Sequence, residues 1–476
     1  MASPITASSA IDVQGLVRSL MNVERKPLSQ MQSEASKIET KISAYGRVQS
    51  ALATFKDAAT DLAQYTSWRA VKSTSGDSTA VEVTSTNSAK AGQHSVNVTQ
   101  LAQSQTLTSL AFSSGDAVVG GGTLTLQMGT QPSGASSFTA DASRSPVTVT
   151  LTAGSTLTQV RDAINAADAG VQASVVKDGD QVRLFLTGTE TGGNQAFKIS
   201  VSDLDGSTSD TSGLSVLGFD PTASGSGQRL SLVRQATDAQ FTLDGVALTA
   251  RTNRIASVMD GTDLVLKKVT SSAVQIETTV DVSSLQAKTQ KFIDAYNAVN
   301  TLLAQQTRYD ESTKIAGPLQ GDRSAVGMLS SLRGIVRETV TGGTFSKLSD
   351  VGITLQRDGS LALSASTFAS AATDPSQLET LFSAFGASST ATDRGLAQRF
   401  RDLADTLVGT GGTVDTATAA WTARKTANQS RQDALEQRLT AVEKRLLQQY
   451  TALDVQLARA QQSSAALTSS LAGLTK

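Results

Sequence analysis

The chain has 476 residues, 39% of them apolar, and a formal net charge of −1, which leaves room for about three domains with real cores. It contains no cysteine, so disulfides, zinc-thiolate sites and cysteine nucleophiles are excluded, and near-neutral charge without a basic cluster argues against nucleic acid. Aromatics are only 4% and glycines number 37, which favours elongated β-rich modules over one compact catalytic body, and no apolar run approaches the roughly 20 residues that span a bilayer.

The chain opens with MASPITASSAIDVQGLVRSLMNVERKPL, which lacks the basic start and continuous apolar stretch of a cleavable signal peptide. Ile11, Leu16 and Leu20 make a short amphipathic piece. Pro27 separates it from a helical seam through Met31, Ala35, Ile38, Ile42, Tyr45, Leu52, Ala59 and Leu62. From about residue 70 to 281 the period changes to two. SVNVTQLA, GTLTLQMG, VTVTLTAG, VQASVVKDGDQVRLFLTG, QFTLDGVALTA and AVQIETTV alternate apolar with polar residues around Asp-Gly and Gly turns, a pattern of strands and hairpins. Within it Leu157, Val160, Ile164 and Ala167 return to helical spacing, and the Gly/Ser-rich residues 203 to 228 read as loop or boundary.

Helical spacing resumes through Leu285, Phe292, Tyr296, Val299 and Leu303, and again through Leu396, Phe400, Leu403 and Leu407, which ends at the stop GTGGT. The final seam runs through Leu435, Leu439, Val442, Leu446, Tyr450, Leu453, Leu457, Ala460, Leu467, Leu471 and Leu474, a narrow stripe of coiled-coil type. The consecutive fours from Val442 to Leu446 to Tyr450 read as a stutter. The simplest arrangement packs the four seams as one bundle, with the N-terminal helix antiparallel to the C-terminal one. The fold class expected is α+β and multidomain: a helical, coiled-coil-like stalk from both chain ends, with β-rich head domains inserted.

Candidate chemistry is sparse. The single histidine, His94, lies at a strand start with no nucleophile elbow nearby. DLDG, with Asp203 and Asp205, resembles the start of a calcium loop, but position 12 is Leu214 where a bidentate Glu is needed. The acidic residues of KDGDQ and LDGVA suit hairpin turns better than paired-carboxylate catalysis. Trp68 and Trp421 lie in or beside predicted helices and read as packing rather than as a sugar platform. Neither a catalytic nor a cofactor or metal site is expected.

The segments AIDVQGLVRSLMNVERKPL, AKAGQHSVNVTQLAQSQTLTS, TLTQVRDAINAADAGVQASVVKDGDQVRLFLTG, ATDAQFTLDG, DVGITLQRDGSLAL and QQYTALD, in this order, resemble the bacterial flagellar filament cap protein (hook-associated protein 2) family. The resemblance runs nearly end to end; the Gly, Ser and Thr-rich stretch from Phe112 to Pro146 carries it only in GGTLTLQMG. It implies a non-enzymatic cap at the distal tip of the flagellum, extracellular, exported through the flagellar type III apparatus without a cleavable signal, that promotes folding and insertion of flagellin. The partners implied are the protein itself as a ring, a pentamer or hexamer, then flagellin, the hook–filament junction protein and a cytoplasmic export chaperone, without membrane insertion. On this basis residues 1–40 and 441–476 are expected to be terminal helical legs, mobile in the free subunit. Residues 41–72 and 282–440 would form the stalk domain with a small hairpin near 350–363, residues 73–110 and 230–281 a first head domain, and residues 111–229 a second, α+β, inserted in the first.

Within that frame Ile38, Ile42, Tyr45, Leu52, Leu439, Val442, Leu446 and Leu453 are expected to pack along the stalk. Ile11, Leu16, Leu20, Leu467, Leu471 and Leu474 are expected to contact other subunits or the filament, because no equally apolar segment remains to cover the last three; pairing of Ile11, Val13, Leu16, Val17 and Leu20 with those three within one chain is the alternative. Arg438, Glu443, Lys444 and Arg445 read as a solvated face. A filament-tip adhesin that binds host glycans is the alternative function, and an enzyme acting on sugars the weakest reading.

Overall fold

A computed structural model describes residues 12–474 except 133–136, 209, 224–227, 313 and 390; the side chains of 471–474 also lie outside the description. The chain divides into two compact units, residues 1–68 with 282–476, and residues 69–281.

The first unit opens with α1 (Val13–Glu24) and α2 (Lys26–Ala63). They are separate helices because Pro27 has no N–H for the next turn, so the ladder breaks at Arg25. In the second unit Thr156 starts α3 (Leu157–Ala166) with a capping box, its hydroxyl accepting from Gln159 N–H while the Gln159 side chain accepts from Thr156 N–H.

That unit holds two hydrophobic cores. One lies between a five-stranded antiparallel sheet, in the order Val71–Ser75, Val274–Val280, Gly92–Gln100, Ala239–Leu243, Val246–Ala250, and a three-stranded sheet of Arg254–Met259, Thr262–Leu266 and Val81–Ser85. Val81, Val96, Val98, Phe241, Leu264 and Ile276 fill it, the inward halves of period-two strands. The other is built on two four-stranded sheets and α3. In one, Val118–Thr130 pairs with Ala196–Asp203, Thr139–Ala140 and Val147–Thr156; in the other the order is Ser231–Arg234, Thr106–Thr108, Gln181–Gly188, Val171–Asp178. The segment from Phe112 to Pro146 thus supplies the long central strand Val118–Thr130.

The first unit resumes with α4 (Val282–Thr307), α5 (Arg323–Ile335), α6 (Ala365–Ala371), α7 (Pro375–Ser383), α8 (Leu396–Val408) and α9 (Thr413–Leu474), with a hairpin of Ile353–Leu355 and Leu361–Leu363 between α5 and α6. Its core is aromatic. Phe55 of α2, Phe292 and Tyr296 of α4 and Phe400 of α8 are fully buried, with ring centroids 5.3 to 6.1 Å apart. The tilted and edge-on geometry suits the ring quadrupoles. Trp68 stacks on Phe382 at 4.7 Å and donates its indole N–H to Leu62 O at 2.9 Å. Ser383 Oγ also donates to Leu62 O, and Gln398 Nε2 donates to Ala63 O, so the last carbonyls of α2 are satisfied by side chains.

α1 and α2 run antiparallel to α9. The ladder is explicit: Arg25 meets Glu443 at 3.1 Å, Met31 O accepts from Gln432 at 3.4 Å, Glu39 meets Lys425 at 2.8 Å, and Lys41 lies 4.2 Å over the Trp421 ring.

Candidate functional site

The side chains with catalytic potential are used in turns. His94 Nδ1 lies 2.7 Å from Asp244 Oδ2, and Asp244 Oδ1 accepts from Ser95 N–H at 2.8 Å and Ser95 Oγ at 3.4 Å. A serine, a histidine and a carboxylate therefore meet, but in the wrong order. The carboxylate sits between the other two, so the imidazole is not placed to take the Ser95 proton. The contact ties the strand Gly92–Gln100 to the Asp244–Gly245 turn, where both residues have positive φ. The His94 ring, and then the Ser95 N–H, hold the Asp244 carboxyl below its ordinary value.

Asp203 accepts from Ser215 N–H at 3.1 Å and Asp205 from Ser207 N–H at 2.8 Å, while Leu214 is buried in the core. Asp178 pairs with Arg183 at 2.7 Å beside its turn. Among the described residues no three His, Cys, Asp or Glu side chains group as a metal site.

The remaining candidate is the contact of α1 with α9 and the helix beyond it. Asp12 caps α1 by accepting from Gly15 N–H at 2.8 Å; a Cβ at residue 15 would collide with that carboxylate. Val17, Met21 and Leu439 are buried together, with Val13, Leu28, Leu435, Val442, Leu446 and Tyr450 partly buried around them. Arg25 and Glu443 close the rim, both exposed, a pair worth under about 1 kcal/mol.

Of the residues expected to pack along the seam, Ile38, Tyr45, Leu52 and Leu439 are buried and Ile42, Val442 and Leu446 half-buried. Leu453 is not: it stands outside the cluster and is 42% exposed. The reason is register. α1 packs on α9 between Leu435 and Tyr450, and Asp12 is the first described residue. Leu16 and Leu20 are exposed on the outer face of α1, whereas Leu467 is 64% exposed on α9. α1 therefore meets α9 well short of Leu467. Ile11 and the side chains of Leu471 and Leu474 lie outside the described residues.

Sequence reasoning named Val17 only among the residues that could pair with the end of the last helix and missed Met21; together these two turn α1 inward against Leu439. Their spacing of four was as visible as that of Leu16 and Leu20. It also missed a second stripe on α9, Leu447, Ala452 and Val455, all exposed and bordered by Arg459. Apolar area left in water on Leu447, Leu453, Val455 and Leu467 forgoes roughly 1.5 to 3 kcal/mol for each side chain that a partner would fully bury.

These features define the class: a mixed helical and sheet protein with an exposed apolar stripe along the end of a long helix. Two patterns of flagellar hook-associated protein 2 match the chain, its N-terminus over residues 9–105 and its C-terminus over 236–462, with the flagellin hook IN motif at 134–190. The A-type flagellar hook-associated protein 2 of Pseudomonas aeruginosa is 28% identical across 98% of each chain, and flagellar hook-associated protein 2 of Escherichia coli K12 is 29% identical across 76% of each. The crystal structure of the D1-D2-D3 domains of the Escherichia coli flagellar cap protein FliD superposes with a TM-score of 0.61 at 29% identity, covering 80% of this chain and 99% of that one. The chain belongs to the flagellar hook-associated protein 2 family, a family of flagellar cap proteins.

Proposed function

We propose that this protein caps the distal tip of the bacterial flagellar filament, promoting the folding and insertion of exported flagellin and preventing its loss to the medium. The observation that carries this reading is a match across 98% of both this chain and a flagellar hook-associated protein 2. It acts as a homo-oligomeric ring outside the cell, after passage through the flagellar type III apparatus, with flagellin and the hook–filament junction protein as its extracellular partners.

In this reading residues 1–40 and 441–476 are the legs, 41–72 and 282–440 the stalk domain, and 73–110 with 230–281 and 111–229 the two heads. Ile11, Leu16, Leu20, Leu467, Leu471 and Leu474 meet neighbouring subunits or the filament. The apolar surface of α9 beyond Tyr450 supports it, because a lone helix with an uncovered stripe is marginal in water and gains from a partner surface. Before export a cytoplasmic chaperone covers the same surface.

The test is deletion of the gene in its host, with cell-attached filaments assayed against flagellin in the medium, complemented by the full chain or by a chain lacking residues 461–476. Loss of filaments with abundant monomeric flagellin outside, restored by the full chain alone, is expected. Normal filaments in the deletion strain, with no second cap gene present, would overturn the reading and leave adhesion in its place.

A further inference from the structure

In the helical unit α5 is a short surface helix that carries two glycines. It buries Ala325, Met328 and Leu332 of its 13 residues. Gly327 lies in its interior and Gly334 in its last turn, and a Cβ added at either meets nothing within 4 Å. No close approach among the described residues requires them, while the interior Gly327 destabilises a helix about fivefold relative to alanine. Ser324, Ser330 and Ser331 add further weak helix formers.

What lies beneath α5 is also unusual. Tyr45 and Tyr296 are fully buried. The Tyr45 hydroxyl lies beside Asp322 and Ser324 at the start of α5, whereas the Tyr296 hydroxyl makes no hydrogen bond among the described residues and feels Arg333 and Arg337 at the end of α5. A buried phenol without a partner favours an open state in which water reaches it.

A single side chain closes the far end. Arg333 Nε donates to Asn300 Oδ1 of α4 at 2.9 Å, and Nη2 donates to Asp358 O of the hairpin turn at 2.7 Å. Gly359 has φ +86, and a Cβ there would collide with the Arg333 guanidinium, so the turn is shaped around that side chain. Asn300 is itself buried and donates to the same Asp358 carbonyl at 3.3 Å.

We propose that α5 is a hinged flap, released from the helical unit as one cooperative piece while α2, α4 and α8 stay folded, with Arg333 as the clasp that holds it shut. The shallow burial, the two unneeded glycines and the unpaired Tyr296 phenol set the open state within reach. The guanidinium fork between Asn300 and Asp358 sets how often it is visited.

Hydrogen exchange on the full-length protein, read by mass spectrometry, tests this with three chains. In the natural chain, peptides from 323–335 exchange faster than those from α2 and α4. G327A/G334A slows exchange in α5 by about fivefold or more, the helix-propensity gain at the interior Gly327 with a smaller one at the last turn, and leaves α2 and α4 unchanged. R333K keeps the charge, loses the fork, and speeds α5 by about tenfold or more, the worth of a charge-assisted hydrogen bond, again without moving α2. Exchange of α5 in step with α2 and α4 in the natural chain would overturn the proposal. So would equal shifts of all three helices in either variant.

Discussion

The two halves of α9 share one helix and live in different surroundings. From Thr413 to Tyr450 it is laid against α2 and α1: Val414 and Leu439 are buried, and polar Asn428 and Gln432 are buried too, hydrogen-bonded to each other. From Thr451 onward its described side chains are exposed, apart from Asp454 and Leu457. The helix does not change in kind at Tyr450, since no Gly or Pro interrupts it before Gly473. What changes is the neighbour. Helical continuity is therefore local, whereas burial is supplied from the other end of the chain.

This contrast can be broken experimentally, beginning where the packed region is deepest. Phe400→Ala removes the ring shared by Phe55, Phe292 and Tyr296 and is expected to cost about 3 to 5 kcal/mol of unfolding free energy in urea. Leu467→Ala is expected to change it by less than about 0.5 kcal/mol. Equal losses would mean that the distal half is packed after all. Met21→Ala, in the small α1–α9 core, is expected to cost about 2 kcal/mol locally. Amide exchange over residues 435–450 should rise while that over 282–307 stays fixed; a uniform rise would join α1 to the main core.

An electrostatic comparison is smaller still. The Asp244 carboxyl is held below its ordinary value by His94, so its contribution is full above the unfolded carboxyl value and is lost as pH falls through the lower folded one. The thermal midpoint of residues 69–281 within the full chain should therefore drop less steeply below about pH 4 in Asp244→Asn, and parallel profiles would remove His94 from the account. Also small, Lys425→Ala breaks an exposed pair with Glu39 and is expected to cost about 0.2 to 1 kcal/mol at low salt, vanishing as salt rises.

Spacing made the mixed helical and sheet composition legible, because a shift of period from three-and-four to two is visible in residues such as Ile38 and Tyr45 against Val96 and Val98. Direction was less visible. In α1 the pairs Leu16–Leu20 and Val17–Met21 carry equal apolar signal, and only the position of α9 decides that Val17 and Met21 turn inward. Leu453 falls on the seam by spacing yet stays exposed, since register depends on where a partner helix ends. The partnership of His94 with Asp244 spans 150 residues, a distance over which no local pattern speaks. Arg333 was silent for the same reason: its partners Asn300 and Asp358 lie on other elements.

The two tryptophans of the chain give that architecture an optical consequence. Trp68 is enclosed and stacked on Phe382, while Trp421 lies half-exposed on α9 between Lys41 at 4.2 Å and Arg424 at 4.5 Å. Separation of α2 from α9 would strip Lys41 from the Trp421 indole and move its emission and quenching by soluble anions, leaving the Trp68 signal blue and shielded. With Trp68 replaced by Phe, one unlabelled fluorophore reports whether the two ends of the chain are docked.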